Sequence, residues 1–472
     1  MKKITLLILS FFVFVINGFS QKIIWQNHVG DTNSMEMSYS IIRSADQGFY
    51  ICGLDGAIGF GQENILLAKI NSTGDTIWKK SIGYEGTGEF ARSIIETEDG
   101  LMILGYTESM GAGAADMYLV KTNISGDVIW EKTYGGVAND DGIKVVKFKN
   151  NFLIVGHSYN ISTFEYDIFL VAINPQGDTL WTKKFGTEYD DFLINLIESP
   201  SNGFVGVGYT YGNNADFIDV YAFHIDSLGN ILWSNSYDGF EQGQSSGDYG
   251  TSIVEHSNGT YSILATENYI YQTSFTGNLW LLNLDSNGDT IKTKSIIIDK
   301  PINTTELLEI EGHQYAIVNA INEVDEEQGM ILKFDANLDT VYSFRIKSDS
   351  YTHLNSAIAD SNYIFLTGYQ TNLYKTYEAY ISKVDVSQST TGIRANTSAK
   401  IKLYPNPSTE YILVESSECA RYIIVGIDGI IIRKLSYISN KIDIKNLSSG
   451  KYIIQLFDEQ NKLCGSEKFI KP

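Results

Sequence analysis

Short runs of alternating apolar and polar residues, separated by Gly, Asp and Asn, make up most of the chain between residues 22 and 386. After Trp78, for example, they are 91–97 (ARSIIET), 101–107 (LMILGYT), 116–122 (DMYLVKT) and 127–133 (DVIWEKT). A period of two, β-branched residues and turn-forming punctuation are typical of short β-strands. The pattern therefore predicts four strands, here called a, b, c and d, with the Trp on strand d.

This four-strand pattern repeats along the chain. The signature Trp stands at positions 25, 78, 130, 181 and 233, which are spaced by 53, 52, 51 and 52 residues, and degraded copies follow around Lys292 and Tyr342. A fixed period of this length indicates a solenoid, a propeller or an array. Four strands in each of seven units predict an all-β fold with a seven-bladed β-propeller over residues 21–386.

The two ends of the repeat region are complementary. Residues 22–29 (KIIWQNHV) form a strand d with no a, b or c before it, whereas the last unit has a, b and c but no d. We therefore expect residues 22–29 to pair with residues 378–386, which would remove the unpaired edges that invite aggregation. We also expect each Trp to be buried between neighbouring units.

The repeats resemble the β-propeller repeats of secreted proteins of the Bacteroidetes. The shared features are the Gly-Asp-x-x-Trp strand, the loop "YGG" at 134–136 and the "DG" at 99–100. The resemblance implies the fold, and it brings no shared chemistry with it.

Both ends of the chain carry features of an address. Residues 1–20 combine Lys2 and Lys3, an apolar run and the small residues Gly18 and Ser20, which predicts a cleaved signal peptide. No later apolar run approaches spanning length, so we expect no transmembrane anchor in the mature chain. Residues 387–398 are polar and lack periodicity, which predicts a linker. Short strand-like runs in residues 399–472 predict a small Ig-like β-sandwich.

The last segment is similar to the C-terminal sorting domain (type A-like) of type IX secretion cargo. The matching residues are Pro405, Asn406 and Pro407 in "YPNP", Gly450 and Tyr452 in "LSSGKY", and Lys468, Phe469 and Lys471 in "KFIK". The resemblance implies the type IX secretion machinery as partner and a secreted or outer cell-surface location reached through the periplasm. The alternative is an Ig-like domain with no role in export.

Charge and cysteine content exclude some classes of function. The formal net charge of −21 argues against a nucleic-acid partner, which needs clustered Lys and Arg. Cys52 is expected in the core, and the sequence leaves open whether Cys419 and Cys464 form a disulfide. The six histidines lack metal-binding spacing, and no nucleotide or nucleophile motif is present, so we expect no metal and no cofactor.

One regularity points to a site. Five units place a carboxylate where strand a begins, next to the long connections of one face, and these are Glu36, Glu89, Asp140, Asp191 and Asp248. They could form a ring that binds a cation or a sugar, or they could cap backbone N–H groups of the turn. We expect a binding protein for an extracellular glycan or protein ligand rather than an enzyme. The alternative is a carbohydrate-active enzyme that uses carboxylates on this loop face.

Overall fold

The structure is a computed structural model. It describes residues 22–30, 34–57, 63–84, 86–200, 203–211, 218–239, 247–269, 277–296, 302–321, 327–346, 351–371, 376–387, 402–415, 421–426, 431–437, 441–445, 447–457 and 463–472. The chain divides into two compact units, Met1–Gln388 and Ser389–Pro472. The predicted signal peptide, Cys419 and nearly all of the predicted linker lie outside the described residues.

All regular elements in these described ranges are β-strands, which confirms the all-β prediction. In the first unit they are β1 (Lys22–Val29), β2 (Ser34–Arg43), β3 (Phe49–Ala57), β4 (Glu63–Ile70), β5 (Thr76–Ile82), β6 (Glu89–Thr97), β7 (Gly100–Thr107), β8 (Asp116–Thr122), β9 (Val128–Tyr134), β10 (Asp140–Phe148), β11 (Asn151–Asn160), β12 (Glu165–Ile173), β13 (Thr179–Phe185), β14 (Asp191–Glu198), β15 (Phe204–Thr210), β16 (Asp219–Ile225), β17 (Ile231–Tyr237), β18 (Gly247–Glu255), β19 (Tyr261–Tyr269), β20 (Asn278–Leu284), β21 (Thr290–Ile296), β22 (Ile302–Ile310), β23 (His313–Ile321), β24 (Glu327–Phe334), β25 (Thr340–Arg345), β26 (Thr352–Asp360), β27 (Tyr363–Thr371) and β28 (Tyr377–Asp385). In the second unit they are β29 (Lys402–Tyr404), β30 (Tyr411–Glu415), β31 (Arg421–Gly426), β32 (Ile431–Tyr437), β33 (Ile442–Asp443), β34 (Gly450–Phe457) and β35 (Leu463–Lys471).

The strands of the first unit form four-stranded antiparallel sheets. Six sheets each contain four consecutive strands, from β2-β3-β4-β5 to β22-β23-β24-β25, and one has the order β1-β28-β27-β26. The prediction of repeated four-stranded sheets is confirmed. In each sheet the strands b and c are buried on both faces, as expected for strands packed between two neighbouring sheets.

The N-terminal strand completes the last of these sheets. β1 runs antiparallel to β28, with Lys22 opposite Asp385 and Val29 opposite Ala379. The predicted pairing of the first and last strands is therefore confirmed. It provides strand d for the three strands that the end of the repeat region supplies.

Hydrophobic cores lie between neighbouring sheets. Each of seven clusters joins residues of two adjacent sheets, and the cluster containing Val29, Ile41 and Phe365 joins the last sheet to the first. Strands a follow the same cyclic order, since β2 contacts both β6 and β26. Cys52 lies in one of these cores, where it is fully buried as expected.

The recurrent Trp contacts the glycine of the next c–d turn. An ideal Cβ on Gly126 would lie 2.8 Å from the Trp78 ring, and one on Gly177 would lie 2.8 Å from the Trp130 ring. The expected contact between neighbouring units is confirmed. However, the rings are half-buried rather than fully buried, because strand d is the outermost strand and leaves one edge of the indole exposed.

The Asp of the Gly-Asp motif forms an ion pair with a lysine of the preceding sheet. Lys80 donates to Asp127, and Lys132 lies 2.8 Å from Asp178. These ion pairs are exposed, so each contributes at most about 1 kcal/mol. The repeated sequence G-D-x-x-W-x-K therefore encodes contacts between units as well as a strand within one unit.

Candidate functional site

The five predicted carboxylates lie where the first strands of five sheets begin. Because neighbouring strands are antiparallel, this edge also carries the d–a and b–c connections. All five side chains are buried, and Asp140, for example, is 1% exposed. Buried carboxylates require hydrogen-bond donors.

Most of these donors belong to the d–a connection that precedes each strand. The backbone bonds are Tyr84 N–H to Glu89 (3.1 Å), Gly136 N–H to Asp140 (2.7 Å), Thr187 N–H to Asp191 (2.5 Å) and Gly239 N–H to Asp248 (2.8 Å). Glu36 instead accepts from the Ser34 hydroxyl and from Lys79 at 2.8 Å.

This geometry favours the interpretation of the carboxylates as turn caps. Four of the five acids accept a backbone N–H of the d–a connection that precedes them, and burial raises the pKa of Asp191. A role of all five as one ligand-binding ring stays a prediction. Asp140 also lines the second of the two cavities described below.

Strand a carries a β-bulge in each of the seven four-stranded sheets described for the first unit, which sequence reasoning missed. One residue is skipped in the pairing of strands a and b at Tyr39, Arg92, Ile143, Ile194, Thr251, Thr305 and Asn355. Bulges re-aim side chains and occur often next to functional sites. All seven bulged residues stand two positions before the central apolar residue of strand a. This regular spacing is visible in the sequence and could have revealed the bulges.

Four of these bulges border a central cavity of about 460 Å³. It opens at the beginnings of strands a, on the face of the d–a connections. Its lining residues are Ile194, Tyr249, Thr251, Thr266, Asn303, Thr304, Thr305, Asn319, His353, Leu354 and Asn355. Seven of these eleven residues carry an amide or an aliphatic hydroxyl group, but most of the surface that they present to the cavity is apolar.

Hydrogen bonds between sheets hold this lining in place. Asn319 donates from Nδ2 to the Leu354 carbonyl and accepts the Leu354 N–H at Oδ1, both at 2.8 Å. Thr251 donates to the Thr304 hydroxyl at 2.9 Å. A cavity lined by fixed polar groups loses little entropy when a ligand orders them, so this one is preorganised for binding.

A second cavity of about 290 Å³ lies on the same face, between three consecutive sheets. Its lining residues are Tyr106, Glu108, Ala115, Asn139, Asp140, Asp141, His157, Tyr166 and Phe192. All of them fall in residues 86–200, which are described without a gap. This cavity brings together carboxylates that are distant in sequence.

His157 joins two sheets at the second cavity. Its Nε2 lies 2.9 Å from the Leu193 carbonyl and 2.8 Å from the Leu193 nitrogen. The side chain is 6% exposed, and burial lowers its pKa to about 4. His157 therefore links its own sheet to the next one by hydrogen bonds. Asn319 makes the equivalent link in a later sheet.

Replacing His157 with Asn is expected to reduce the acid sensitivity of the first unit. Between pH 6.5 and pH 4 the unfolded chain binds a proton at His157 that the folded chain does not. Stability therefore falls as the pH falls through this window, by up to roughly 3 kcal/mol at about 1.4 kcal/mol per pKa unit. The Asn variant should lose less free energy of unfolding between pH 7 and pH 4 in urea titrations. An equal loss in both proteins would contradict this assignment.

No metal site was found in the part of the chain that the structure describes. No three His, Cys, Asp or Glu side chains are grouped there as metal ligands. The turn at 285–289 is an Asx turn, in which Asp285 accepts the N–H groups of Asn287 and Asp289. His224 is buried beside Tyr261 in the core between two sheets.

In the second unit the three predicted sorting motifs contact one another. Asn406 of "YPNP" donates to the Lys468 carbonyl at 2.8 Å and accepts the Ile470 N–H at 2.9 Å. Lys471 donates to the Ile444 carbonyl at 2.6 Å. The first and last motifs are therefore tied by two hydrogen bonds across 64 residues of sequence.

The middle motif meets the last one in the core. Tyr452 stacks on Phe469 with ring centroids 5.4 Å apart, and its hydroxyl donates to the Ser448 carbonyl. Gly450 pairs with Lys471 in the sheet β32-β31-β34-β35. Pro405, Asn406, Pro407 and Lys468 are exposed. The motifs thus combine a shared buried core with an exposed surface.

Three solved structures resemble this chain weakly. A protein of unknown function from Dyadobacter fermentans is 9% identical and covers 77% of this chain and 99% of its own, with a TM-score of 0.47. A putative 6-phosphogluconolactonase from Bacteroides uniformis is 10% identical over 73% and 94% of the chains, with a TM-score of 0.41. The periplasmic gluconolactonase of Pseudomonas aeruginosa is 10% identical over 64% and 83%, with a TM-score of 0.43. Similarity at this level carries no argument about function.

Comparison by sequence is informative only at the C-terminus. None of the curated proteins matches the chain significantly. Across the described residues, no helix has the length and apolar character needed to cross a bilayer. Residues 402–471 match the family of secretion system C-terminal sorting domains, and a type IX sorting domain there indicates export to the cell surface or secretion.

Proposed function

We propose that this chain is a secreted or cell-surface binding protein whose seven four-stranded sheets form a closed seven-bladed β-propeller. The central cavity, on the face of the d–a connections, binds the ligand. The observation that carries the proposal is the composition of its lining, where seven amide- or hydroxyl-bearing residues and one histidine converge on a largely apolar surface without a carboxylate among them.

This composition favours binding over catalysis. Glycoside hydrolysis, the reaction class considered above, needs two carboxylates facing each other across the substrate. No carboxylate is among the residues that line the central cavity, although the lining residue His353 pairs with Glu327 at 2.9 Å. Glu306, next to the lining residue Thr305, accepts hydrogen bonds from Asn195 (3.2 Å) and Ser252 (2.9 Å). Neutral donors and acceptors on rigid strands suit a neutral polar ligand, such as a glycan or a polar peptide segment.

The size of the cavity agrees with such a ligand. At about 460 Å³ it falls in the range of roughly 300–1,000 Å³ that is usual for small-molecule sites. Tyr249 supplies an aromatic face on which a sugar ring can stack, and Asn303 is exposed at the rim. We therefore assign recognition to these two side chains and orientation to the buried Asn319.

Probing glycan and protein arrays with the full chain tests the proposal. We expect a ligand whose affinity falls about tenfold in the Asn303→Ala or Tyr249→Ala variants, which corresponds to one lost hydrogen bond or one lost stacking contact. Asn337→Ala is the matched control, since this exposed Asn lies in a c–d turn on the opposite face. An affinity reduced as much by the control substitution would refute the central cavity as the site.

The finer assignments belong to the same proposal. Residues 1–20 act as the signal peptide, residues 387–398 as a linker, and residues 399–472 as a type A-like sorting domain with an Ig-like fold. The type IX secretion machinery of a Bacteroidetes cell is the partner in export. The net charge of −21 supports a protein without a nucleic-acid partner. We assign no cofactor and no metal.

A carbohydrate-active enzyme is the second candidate, and one observation favours it. Glu108, Asp140 and Asp141 all line the second cavity, where two of them could act as acid and base. Turnover of a polysaccharide by the full chain, abolished in Asp140→Asn and retained in Asp191→Asn, would establish this activity. Binding without turnover of any array ligand would leave the binding function as the assignment.

A further inference from the structure

One position of the repeat supplies three lining residues of the central cavity. It stands two residues before the bulge of strand a, where the strand begins. Tyr249, Asn303 and His353 occupy this position in three consecutive sheets, and all three line the central cavity. The binding function proposed above assigns recognition to Tyr249 and Asn303. Because His353 has the equivalent position, its imidazole is the third side chain that the repeat presents to a ligand there.

The imidazole of His353 is held on one edge and on one face. Its Nδ1 lies 2.9 Å from Oε1 of Glu327, which belongs to the preceding sheet. Its ring stacks on Tyr369 of the neighbouring strand, with centroids 5.1 Å apart and an interplanar angle of 19°. Tyr351 donates its hydroxyl to the other oxygen of Glu327. The ring is therefore oriented before a ligand binds, which lowers the entropy cost of binding.

The charge of Glu327 decides which nitrogen of the His353 ring carries the proton. Burial favours the neutral acid, but the hydrogen bonds from His353 and Tyr351 prevail and hold the pKa of Glu327 below its ordinary value. An ionised carboxylate only accepts hydrogen bonds, so Nδ1 is the protonated nitrogen of the neutral ring. Nε2 then carries the lone pair and acts as a hydrogen-bond acceptor.

This acceptor is accessible. The His353 side chain is 22% exposed, and Nε2 has no hydrogen-bond partner in the part of the chain that the structure describes. Nor is Nε2 one of the buried side-chain atoms without a partner. A donor group of a ligand in the central cavity can therefore reach Nε2 without breaking a hydrogen bond of the protein.

The tyrosines around His353 do not offset the charge of Glu327. Tyr351 and Tyr369 stay neutral near neutral pH, because burial raises the pKa of each well above its ordinary value. Both contact Tyr377 of the last strand, β28, which is an uncharged phenol in the same cluster. Glu327 is therefore the charged group in contact with the His353 ring.

The strands that flank β26 add no charge at the level of His353. At the equivalent repeat position β2 carries Met37 and β22 carries Asn303. The carboxylates closest to these positions along the two strands are Glu36 and Glu306, and each accepts hydrogen bonds from side chains of its own surroundings. A ligand group at Nε2 therefore meets a lone pair with one carboxylate behind it.

A lone pair backed by a carboxylate favours a hydroxyl over an acid. A hydroxyl donates its proton to Nε2, whereas a ligand carboxylate would set acceptor against acceptor and add a second negative charge beside Glu327. Tyr249 adds an aromatic group to the same lining, and the cavity volume of about 460 Å³ admits a sugar ring. Hydroxyl donors on a ring with an apolar face are typical of neutral sugars.

We propose that His353, positioned by Glu327, accepts a hydroxyl of a neutral sugar in the central cavity and discriminates against the corresponding uronic acid. This inference rests on the binding function proposed above and adds the class of ligand. Protonation of His353 reverses the discrimination, because Nε2 then carries a proton that it donates to a carboxylate.

Calorimetric titration of the full chain with two matched pairs of probes tests this inference. Methyl glucoside is compared with methyl glucuronide, and methyl galactoside with methyl galacturonide. At about pH 8 we expect the neutral glycoside of at least one pair to bind, and its uronide to bind at least about tenfold more weakly. At about pH 5 the difference should shrink or reverse. Equal or tighter binding of the uronides at the higher pH, or no binding of either neutral glycoside at millimolar concentration, overturns the inference.

Two variants of His353 separate its lone pair from its bulk. His353→Leu removes the acceptor and is expected to weaken binding of the neutral glycoside about tenfold. His353→Gln keeps a neutral acceptor oxygen, so it should retain most of the affinity but lose the pH dependence of the discrimination. His313→Leu is the matched control, since this exposed His begins β23 at an a–b turn on the opposite face, and it should leave binding unchanged.

Glu327→Gln tests the positioning residue. Removal of its charge should improve binding of the uronide relative to the glycoside at about pH 8, whereas a merely structural role would weaken both alike. Two outcomes distinguish this inference from the proposed function. Binding of a glycoside that is weakened by Asn303→Ala but not by His353→Leu overturns the role of His353 and keeps the central cavity as the site. Binding that neither variant weakens refutes the central cavity itself.

Discussion

Deletion of residues 402–472 is expected to stop export and to leave the first unit folded. The seven inter-sheet cores of the first unit contain only residues up to Val386, and the second unit has its own core around Ile424, Ile454 and Phe469. The deletion therefore removes the sorting domain without exposing a hydrophobic core of the first unit. Fractionation of cells should show the truncated chain in the periplasm, with a thermal unfolding transition close to that of the first unit in the intact chain.

A point variant tests the same address without removing a domain. Asn406→Ala breaks both hydrogen bonds between the first and last motifs, so export should fall strongly. Lys445→Ala is the control, because this exposed side chain makes only a 3.9 Å ion pair with Glu410. Undiminished surface display of the truncated chain, or loss of the first unit's transition on truncation, would show that the second unit serves stability and not export.

Replacement of Gly126 with Ala is expected to destabilise the first unit by about 2–5 kcal/mol. The backbone at Gly126 has φ +77°, where a Cβ costs roughly 1–2 kcal/mol. The added Cβ would also lie 2.8 Å from the Trp78 ring, which must move in a packed contact between two sheets at a further cost of roughly 1–3 kcal/mol. Urea unfolding of the full chain, followed by Trp fluorescence, measures the sum.

Gly259 offers a control with the same backbone angle. It also has φ +77°, but no atom lies within 4 Å of its ideal Cβ, because it occupies an open a–b turn. Gly259→Ala should therefore cost only the roughly 1–2 kcal/mol of backbone strain. Equal losses of unfolding free energy in the two variants would show that the Trp–Gly contact contributes nothing to stability. The glycine of the repeat would then serve only the turn.

The positions that sequence predicted well are those governed by local rules. Strand boundaries followed from alternation and from Gly and Asp in turns, and the pairing of β1 with β28 followed from counting strands in each unit. The motif G-D-x-x-W and the packing of its Trp between units were also predicted, but the residues that the motif contacts in the neighbouring sheet could not be read from the sequence. Only the structure shows that Gly126 and Asp127 touch Trp78 and Lys80 of the preceding sheet.

The bulges of strand a show why part of the site was missed. A bulge inserts one residue and reverses the face of the residues that follow, so alternation no longer tells which side chain points to the centre. Thr251, Thr305 and Asn355 look like ordinary polar strand residues in the sequence. Their convergence on one cavity comes from the cyclic arrangement of three different sheets.

The sequence by itself determined the all-β class, the repeat of four-stranded sheets, the partner of the N-terminal strand and the sorting motifs, because each depends on patterns within a few residues or on counting. The tertiary structure alone decided that one of the five carboxylates, Asp140, lines the second cavity. Asp140 and Asp191 have the same place in the repeat, and each accepts a backbone N–H from the preceding d–a connection, yet Asp140 and not Asp191 lines the second cavity. The difference arises because the other walls of the cavity, such as Tyr106 and Phe192, belong to neighbouring sheets, whose side chains diverged independently of the repeated strand.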